Sequence, residues 1–471
     1  MKKLLPSLLL ICSVQLHSQL KTAEDYFKSA LKNDTNHEIE IAIEHYSKAI
    51  ELNPIYREAY IKRGFLKRFK GNYKSAINDL TLAIKLKPNI ADTYVKRGNI
   101  KKQLGNTISA IEDYNKAIEL RTTCADAYLH RGIAHQELNK NKDAFEDYKL
   151  AIAFNPLLVD SYFYRATLHE SQNNIKKAID LYSKAFELKQ NHLASLTRRA
   201  NLKIKTNDLS GAISDFTIAI EIAENDKFYQ RRGNLKAKLK DYLGAKEDYT
   251  NALKINHKSA DVYIRRGFMK YKLKNYKHAI MDYSSAIELD PKIASAYYNR
   301  AHSHIKLFNY QKAIQDFSGT ITLDRSNANA YFYRATLKEK LDDYEGALTD
   351  YSLAFELTNK HSNTLSRSAA LKRKLKDYKG ALEDYSKAIK LDKKKDLYLE
   401  RAALKIELQD YQGTIEDYSK VIEMKPEFEA HSLSSEISNL IEKKPKVEKK
   451  TLKNSYLCTR KSNSTKIEHN T

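Results

Sequence analysis

Cysteine and glycine are both scarce in this chain, and their scarcity excludes several kinds of functional site. Only three cysteines occur among 471 residues, and neither a disulfide framework nor a cysteine-ligated metal site fits so few thiols. The 13 glycines fall at repeated packing or turn positions, which leaves none for a phosphate-cradling G-x-G-x-x-G loop or P-loop. The sequence therefore predicts no cofactor, no metal and no small-molecule substrate.

Catalytic motifs are missing as well. The chain contains no H-E-x-x-H and no G-x-S-x-G motif, and its 14 histidines are scattered. His302 and His304 are two residues apart on a predicted helix, so their side chains face different directions. We predict a protein without enzymatic activity.

What the chain has in abundance is an internal repeat. Arg-Gly or Arg-Ala pairs recur at 34-residue steps, with two steps of 33 residues. The pairs begin at Arg63, Arg97, Arg131, Arg165, Arg199, Arg232, Arg266, Arg300, Arg334 and Arg401. Self-similarity at this period indicates stacked structural units that present a long surface to partners.

Residues 57–88 show what one unit contains. Tyr60 and Gly64 share one side of a predicted first helix, and Gly71 and Asn72 supply a turn. An apolar stripe then predicts a second helix, through Tyr73, Ala76, Ile77, Leu80, Ala83 and Ile84. Two helices with a short connection form an antiparallel αα-hairpin.

This pattern resembles the tetratricopeptide repeat (TPR) family, with about twelve copies over residues 23–428. The small first-helix residue is Gly or Ala in every copy, from Ala30 to Ala402, and the second-helix alanine changes only at Thr414. The resemblance implies an all-α, right-handed α-solenoid of about twelve TPR helix–turn–helix repeats. It also implies a scaffold or adaptor that binds protein or peptide partners in a concave groove lined by the first helices.

Charged residues recur within each repeat too. The first-helix arginine and a second-helix aspartate each recur in ten copies, so we predict structural ion pairs that fix the helix register, such as Arg63–Asp79, Arg97–Asp113 and Arg266–Asp282. Ser368 replaces the arginine in one copy, which predicts that Asp384 lacks a partner. A lysine follows four residues after the arginine, as at Lys67. We expect its aliphatic stem to cover the seam, which is the line of contact between the helices, while its amine reaches water.

Tyrosines that the repeat does not explain indicate where a partner binds. They lie on first helices beside phenylalanines and a series of lysines, and aromatic side chains with polar tips are typical of protein interfaces. The predicted partner-binding groove comprises Phe163, Tyr164, Ile264, Phe268, Tyr271, Lys272, Tyr298, His302, Lys306, Phe332, Tyr333 and Lys340. Its aromatic floor and basic edge suit a partner with apolar and acidic residues. The alternatives are packing on the next repeat and a solvated charged face.

One TPR subtype uses lysine and asparagine on successive first helices to grip a C-terminal carboxylate. The lysine place of this clamp corresponds to Phe27, Ile61 and their equivalents, none of which is lysine. Asn99, Asn201 and Asn234 match only the asparagine component. The pattern therefore argues against binding of a chaperone tail.

The two ends of the chain differ from the repeats. Residues 1–20 have the pattern of a signal peptide, with Lys2 and Lys3 before an apolar stretch, which predicts export to the periplasm, the cell envelope or the medium. An uncleaved hydrophobic leader is the alternative. Residues 429–442 are predicted to form a capping helix, and 443–471 a basic disordered tail with a possible role at a membrane surface.

The formal net charge of +23 keeps a second function open. A polyanion or nucleic-acid binder would use the basic groove edge and the tail, and its binding would fall steeply with salt. The predicted export and the acidic residues within every repeat argue against nucleic acid as the partner.

Overall fold

A computed structural model describes residues 22–358, 362–424, 435, 436, 438, 439 and 442. Across these ranges the regular secondary structure is α-helical, with twenty-four helices and no strand. The predicted all-α helical-repeat solenoid is therefore confirmed. The chain divides into two compact units, Met1–Glu224 and Asn225–Thr471.

The helices pair into hairpins, six in each unit, and every hairpin is one repeat with a first and a second helix. In the first unit they are α1 (Ala23–Thr35), α2 (Ile39–Leu52), α3 (Arg57–Phe69), α4 (Tyr73–Leu86), α5 (Ala91–Gln103), α6 (Thr107–Leu120), α7 (Ala125–Glu137), α8 (Asn141–Phe154), α9 (Val159–Ser171), α10 (Ile175–Leu188), α11 (Leu193–Lys205) and α12 (Leu209–Ile222). In the second unit they are α13 (Asp226–Lys238), α14 (Tyr242–Ile255), α15 (Ala260–Lys272), α16 (Tyr276–Leu289), α17 (Ala294–Lys306), α18 (Tyr310–Leu323), α19 (Ala328–Lys340), α20 (Tyr344–Thr358), α21 (Ser362–Lys374), α22 (Tyr378–Leu391), α23 (Lys395–Glu407) and α24 (Tyr411–Met424).

Close approach of the two helices explains the small residue in each first helix. Tyr114 and Tyr148 are completely buried in their second helices. A Cβ atom added at Gly98 would lie 2.6 Å from Cε1 of Tyr114, and one added at Gly132 would lie 2.7 Å from Cε1 of Tyr148. A large side chain at this place would force the hairpin open.

Each hairpin turns through one residue in the left-handed conformation, which ends the first helix. In the second repeat this is Gly71, with a φ of 79°, and the following Asn72 N–H donates to the carbonyl oxygen of Lys67 at 2.8 Å. Glycine occupies the place in only two of the twelve turns. The others use His37, Asn139, Asn173, Asn207, Lys240, Lys274, Phe308, Asp342, Lys376 and Gln409.

The predicted signal peptide and basic tail lie outside the described residues. Of the predicted capping helix over 429–442, only residues 435, 436, 438, 439 and 442 are described, and all five are helical. Glu436 hydrogen-bonds Tyr418 of α24; burial and then this bond raise the pKa of Tyr418 to about 12. Among the described helices, none combines the length and apolar composition needed to cross a membrane.

Candidate functional site

A buried cluster of arginine, aspartate and lysine recurs between the two helices of a hairpin. In the second repeat Arg63 Nη2 lies 2.8 Å from Asp79 Oδ1. Lys67 Nζ lies 2.9 Å from the other carboxylate oxygen, and only 3% of Asp79 is exposed. We call this arrangement the triad.

The other two predicted ion pairs have the same geometry. Arg97 Nη2 lies 2.6 Å from Asp113 Oδ1, and Arg266 Nη2 lies 2.7 Å from Asp282 Oδ1. Both aspartates are buried. The arginine bonds both carboxylate oxygens, since Arg97 Nε also donates to Asp113 Oδ2 at 2.9 Å. Each oxygen can accept a further hydrogen bond, and burial makes an unfilled one costly.

The lysine of each triad supplies the remaining bond, so the expectation that these amines reach water is wrong. The lysine Nζ lies 2.6 to 3.0 Å from the buried aspartate in eight repeats, at Lys67, Lys101, Lys203, Lys236, Lys270, Lys338, Lys372 and Lys405. The four-carbon stem is long enough to span the gap to the facing helix. These lysines are therefore structural.

The triad also joins consecutive repeats. Arg63 Nη1 donates to Ser47 Oγ of the preceding repeat at 3.0 Å, and Arg97 Nη1 donates to Thr81 Oγ1 at 3.1 Å. These two arginines thus bond to the second helices of two successive hairpins. Their contacts between the helices make them structural residues.

The prediction that Asp384 lacks a partner is also wrong. Lys372 Nζ lies 2.6 Å from Asp384 Oδ2, and Ser368 Oγ donates to the same oxygen at 2.7 Å. The serine that replaces the arginine is therefore itself a hydrogen-bond donor to the aspartate.

Two adjoining clefts open along the first helices of the second unit. The larger, of about 410 Å³, is lined in part by Asn234 of α13, by Ile264, Arg265 and Phe268 of α15, and by Asn299 of α17. We call it the first cleft. It combines an apolar floor with amide and guanidinium groups.

The second cleft, of about 240 Å³, continues from the first because Phe268 and Asn299 line both. Tyr271, Tyr298 and His302 complete its aromatic wall. We call the two together the paired clefts. Five of the predicted groove residues, including Ile264, thus line one continuous surface.

His302 lies at the centre of an aromatic cluster that supports the second cleft. Its ring centroid is 4.6 Å from those of Tyr298 and Tyr333 and 5.5 Å from that of Phe317. Burial, with a smaller contribution from Lys306, lowers the pKa of His302 to about 4. The imidazole is therefore neutral near pH 7, and this wall carries no charge.

The predicted lysines lie at one end of the first helices, in the last turn. Lys272 Nζ is 5.1 Å from the ring centroid of Phe268, and Lys340 Nζ is 5.1 Å from that of Tyr310. Lys306 is exposed. Of the three, Lys272 is the one that contacts a cleft-lining side chain.

The remaining predicted groove residues are not part of the paired clefts. Phe332 packs against Tyr333, with centroids 5.5 Å apart, and lies behind the aromatic cluster. Phe163 and Tyr164 belong to the first unit, where Phe163 contacts His192 with ring centroids 5.3 Å apart. They form a separate aromatic group.

Three polar groups of the first cleft were missed by the sequence-based prediction. Asn234 Oδ1 accepts from Tyr249 Oη at 2.7 Å and from Arg265 Nη1 at 3.3 Å. A guanidinium can only donate, so the amide atom that faces Arg265 must be the oxygen of Asn234. The NH₂ group of Asn234 therefore points the other way and can donate to a ligand. Asn299 is the third group. The sequence pointed to just one of the three, Asn234, through its match to the asparagine of the carboxylate clamp.

The paired clefts carry little net charge of their own. Arg265 Nε donates to Asp261 Oδ2 at 2.7 Å, so the two charges of the first cleft compensate each other. No group of three or more His, Cys, Asp or Glu side chains suited to a metal ion occurs among the described residues.

Comparison with known proteins identifies the family. A family model described as a tetratricopeptide repeat matches residues 58–90, 159–192, 227–258, 294–327 and 364–395. A second with the same description matches 260–293, and one described as a TPR repeat matches 98–139. An uncharacterized protein of Methanocaldococcus jannaschii is 36% identical over 61 residues, which are 13% of this chain and 71% of that protein. The chain belongs to the tetratricopeptide repeat family.

Solved structures of TPR proteins are similar to parts or most of this chain. The C-terminal part of a TPR protein from Cytophaga hutchinsonii is 19% identical, with a TM-score of 0.45, over 50% of this chain and 98% of its own. Yeast Tom70 is 20% identical, with a TM-score of 0.33, over 95% and 99%. YrrB, described as a TPR protein with an unusual peptide-binding site, is 22% identical, with a TM-score of 0.36, over 40% and 96%.

Membership of the family establishes the general role of the chain. TPR repeats mediate contacts with protein or peptide partners, and TPR solenoids are typically non-enzymatic scaffolds. The chain is accordingly a protein–protein interaction scaffold.

Proposed function

We propose that the paired clefts hold an extended segment of a protein partner that carries apolar and acidic side chains. The observation that carries this proposal is the continuity of the two clefts across Phe268 and Asn299. A continuous cleft on three successive first helices accommodates a chain rather than a single small molecule. The proposal places the partner on α13, α15 and α17.

Apolar side chains of the partner would pack on the aromatic walls. Phe268 is 38% exposed, and Tyr298 and Tyr271 are half-buried beside it. Rings fixed by packing lose little entropy on binding, which makes them effective anchors. The neutral His302 keeps this surface suited to apolar groups.

The asparagines would hold the partner's backbone. The Asn234 NH₂ group is oriented by bonds to its oxygen from Tyr249 and Arg265, and no hydrogen bond to the Asn299 side chain occurs in the described part of the chain. Amide donors satisfy backbone carbonyls without regard to sequence. The asparagines would therefore contribute affinity for any extended peptide, and the aromatic walls would select among peptides by their side chains.

Acidic residues of the partner would face the lysines at the end of the second cleft. Lys272 and Lys306 are exposed and make no ion pair with any other described residue. Exposed charges of one sign steer an oppositely charged partner and speed its association. Affinity for an acidic peptide should consequently fall as salt rises.

A displayed library of random peptides, selected on the intact protein, tests this proposal. We expect enrichment of peptides that combine aromatic or aliphatic residues with Asp or Glu. Calorimetry on a selected peptide should show that Phe268→Ala with Tyr298→Ala weakens binding by about 2 kcal/mol or more, as truncation of central aromatic anchors does.

The matched control removes exposed apolar side chains elsewhere. Ile108 and Leu157 are 70% and 74% exposed, and the double variant Ile108→Ala, Leu157→Ala should bind the peptide unchanged. Selection of peptides without acidic residues, or equal binding by the cleft variant, would contradict the proposed site.

We also propose that the protein acts outside the cytosol. The basic residues Lys2 and Lys3 followed by an apolar stretch over residues 4–16 support recognition by an export machinery. Fractionation of native cells and N-terminal sequencing test this, with a mature chain beginning near Gln19 in the envelope fraction as the expected result. An intact Met1 in the cytosol would overturn it.

A further inference from the structure

The turns of the hairpins α15–α16 and α17–α18 form a basic surface of which the proposed function uses only Lys306. Lys274 lies in the first turn, and Lys277 follows it in α16. Lys306, Phe308 and Lys312 lie in and around the second turn. All five side chains are exposed. We call this surface the basic edge.

Carboxylates are absent from this part of the chain. No acidic residue occurs between Asp261 and Asp282, or between Asp290 and Asp316. Asp282 and Asp316 are themselves buried and bonded to triad arginines. The four lysines of the basic edge make no ion pair with any residue that the structure describes, so their charge is uncompensated.

Neighbouring turns lack this character. The residue that precedes the second helix is Asp241, Asp343, Asp377 or Asp410 in the other hairpins of the second unit. Each of these carboxylates accepts a hydrogen bond from a backbone N–H three residues later. At the basic edge the same place is Asn275 and Asn309, so the negative charge is missing in two adjacent repeats.

Contacts between neighbouring repeats show that their turns lie along one side of the second unit. Lys340, at the end of α19, lies over the ring of Tyr310 at the start of α18. Lys374, at the end of α21, donates to Tyr344 Oη at the start of α20 at 2.6 Å. The ends of first helices are therefore beside the turns of the preceding repeats.

Phe308 is an exposed apolar side chain within the basic edge. It is 76% exposed and has a φ of 60°, a conformation that bulky residues rarely adopt. The same turn place carries asparagine in three repeats of the first unit, at Asn139, Asn173 and Asn207. The phenyl ring meets the Tyr310 ring edge-on, with centroids 6.2 Å apart, but most of its surface remains exposed.

We propose that the basic edge docks on an anionic lipid surface, with the lysines at the headgroups and Phe308 at the acyl boundary. Turns that project side by side fit a broad, nearly planar surface, whereas a peptide fits the concave paired clefts. Each lysine near an anionic leaflet gains electrostatic attraction, and a buried phenyl ring adds apolar contact. The scaffold would then hold its partner close to a membrane.

Sedimentation with vesicles tests the proposal on the full chain. The protein should partition onto vesicles of phosphatidylglycerol mixed with phosphatidylcholine and not onto phosphatidylcholine alone. Lys274→Glu with Lys312→Glu should weaken partitioning about 30-fold or more, from the attraction expected for two lysines. Phe308→Asn, which keeps a residue suited to the turn, should weaken it about tenfold.

The control variant carries the same charge change at the opposite ends of the helices. Lys258 and Lys292 are exposed and lie in connections between repeats, so Lys258→Glu with Lys292→Glu should partition as the native chain does. Equal binding by the edge variant would place any lipid contact elsewhere, for example in the basic tail, and overturn the proposal.

Heparin separates lipid from a soluble polyanion. Binding of heparin as strong as that of anionic vesicles, with no effect of Phe308→Asn on either, would assign the basic edge to polyanions and refute the lipid proposal. Retention of peptide binding by every edge variant would show that the paired clefts act independently of this surface.

Discussion

At the scale of the residue, two successive repeats depart from the triad in different ways. In the fourth repeat His135 takes the lysine place and lies 2.9 Å from Asp147. In the fifth repeat Arg165 and His169 hold the arginine and lysine places, but Leu181 replaces the aspartate. Arg165 Nε and His169 Nδ1 are buried without a hydrogen bond. Burial, followed by repulsion from Arg165, lowers the pKa of His169.

Restoring the carboxylate should reverse that shift. In Leu181→Asp we expect the pKa of His169 to rise by about one unit or more, because a nearby negative charge favours the imidazolium. NMR titration of the His169 ring protons measures it. Leu181→Asn is the matched control: it has nearly the same shape and no charge, and should leave the pKa low. Equal pKa values in the two variants would show that residue 181 does not face this pair.

At the scale of the element, the turn of every hairpin depends on a left-handed residue. A side chain with a Cβ costs about 1–2 kcal/mol in this conformation relative to the right-handed one, whereas glycine adopts it freely. Ten of the twelve turns nevertheless lack glycine. The hairpins are held by packing and triads strongly enough to tolerate this strain.

Glycine at two of these turns should stabilise the second unit. Lys240 and Lys376 have φ values of 65° and 62°, and both are exposed. Lys240→Gly and Lys376→Gly should each add about 0.5–1 kcal/mol to the free energy of unfolding, measured by urea denaturation. The control variants Lys240→Ala and Lys376→Ala remove the same charges but keep a Cβ atom, so neither should raise the free energy of unfolding. A similar gain from alanine would attribute the effect to lost lysine charge instead.

At the scale of the whole molecule, repetition determined what could be predicted from the sequence. A residue type that returns in all or most repeats, such as the small residue at Gly98 or the aspartate at Asp79, is recognisable from the sequence as part of the packing between helices. The paired clefts were harder, because Asn234, Arg265 and Asn299 meet only when three hairpins stack. The lysine amines were misjudged for a similar reason: the distance from Lys67 to Asp79 depends on the separation of two helices, which no spacing along the chain reveals.

The division after Glu224 predicts that the array can be cut there without loss of either part. Fragments 22–224 and 225–442 each retain six complete hairpins and the interfaces among them, and in repeat proteins stability is approximately the sum of such terms. We expect both fragments to be helical by circular dichroism and to melt cooperatively.

The control fragment 22–238 adds α13 without its partner α14. Because a lone amphipathic helix has no second helix on which to bury its apolar face, it should melt at the temperature of 22–224, and the amides of α13 should exchange rapidly with solvent. A fragment 22–224 that is unfolded by itself, or protected amides in α13, would show that the hairpin is not the unit of stability.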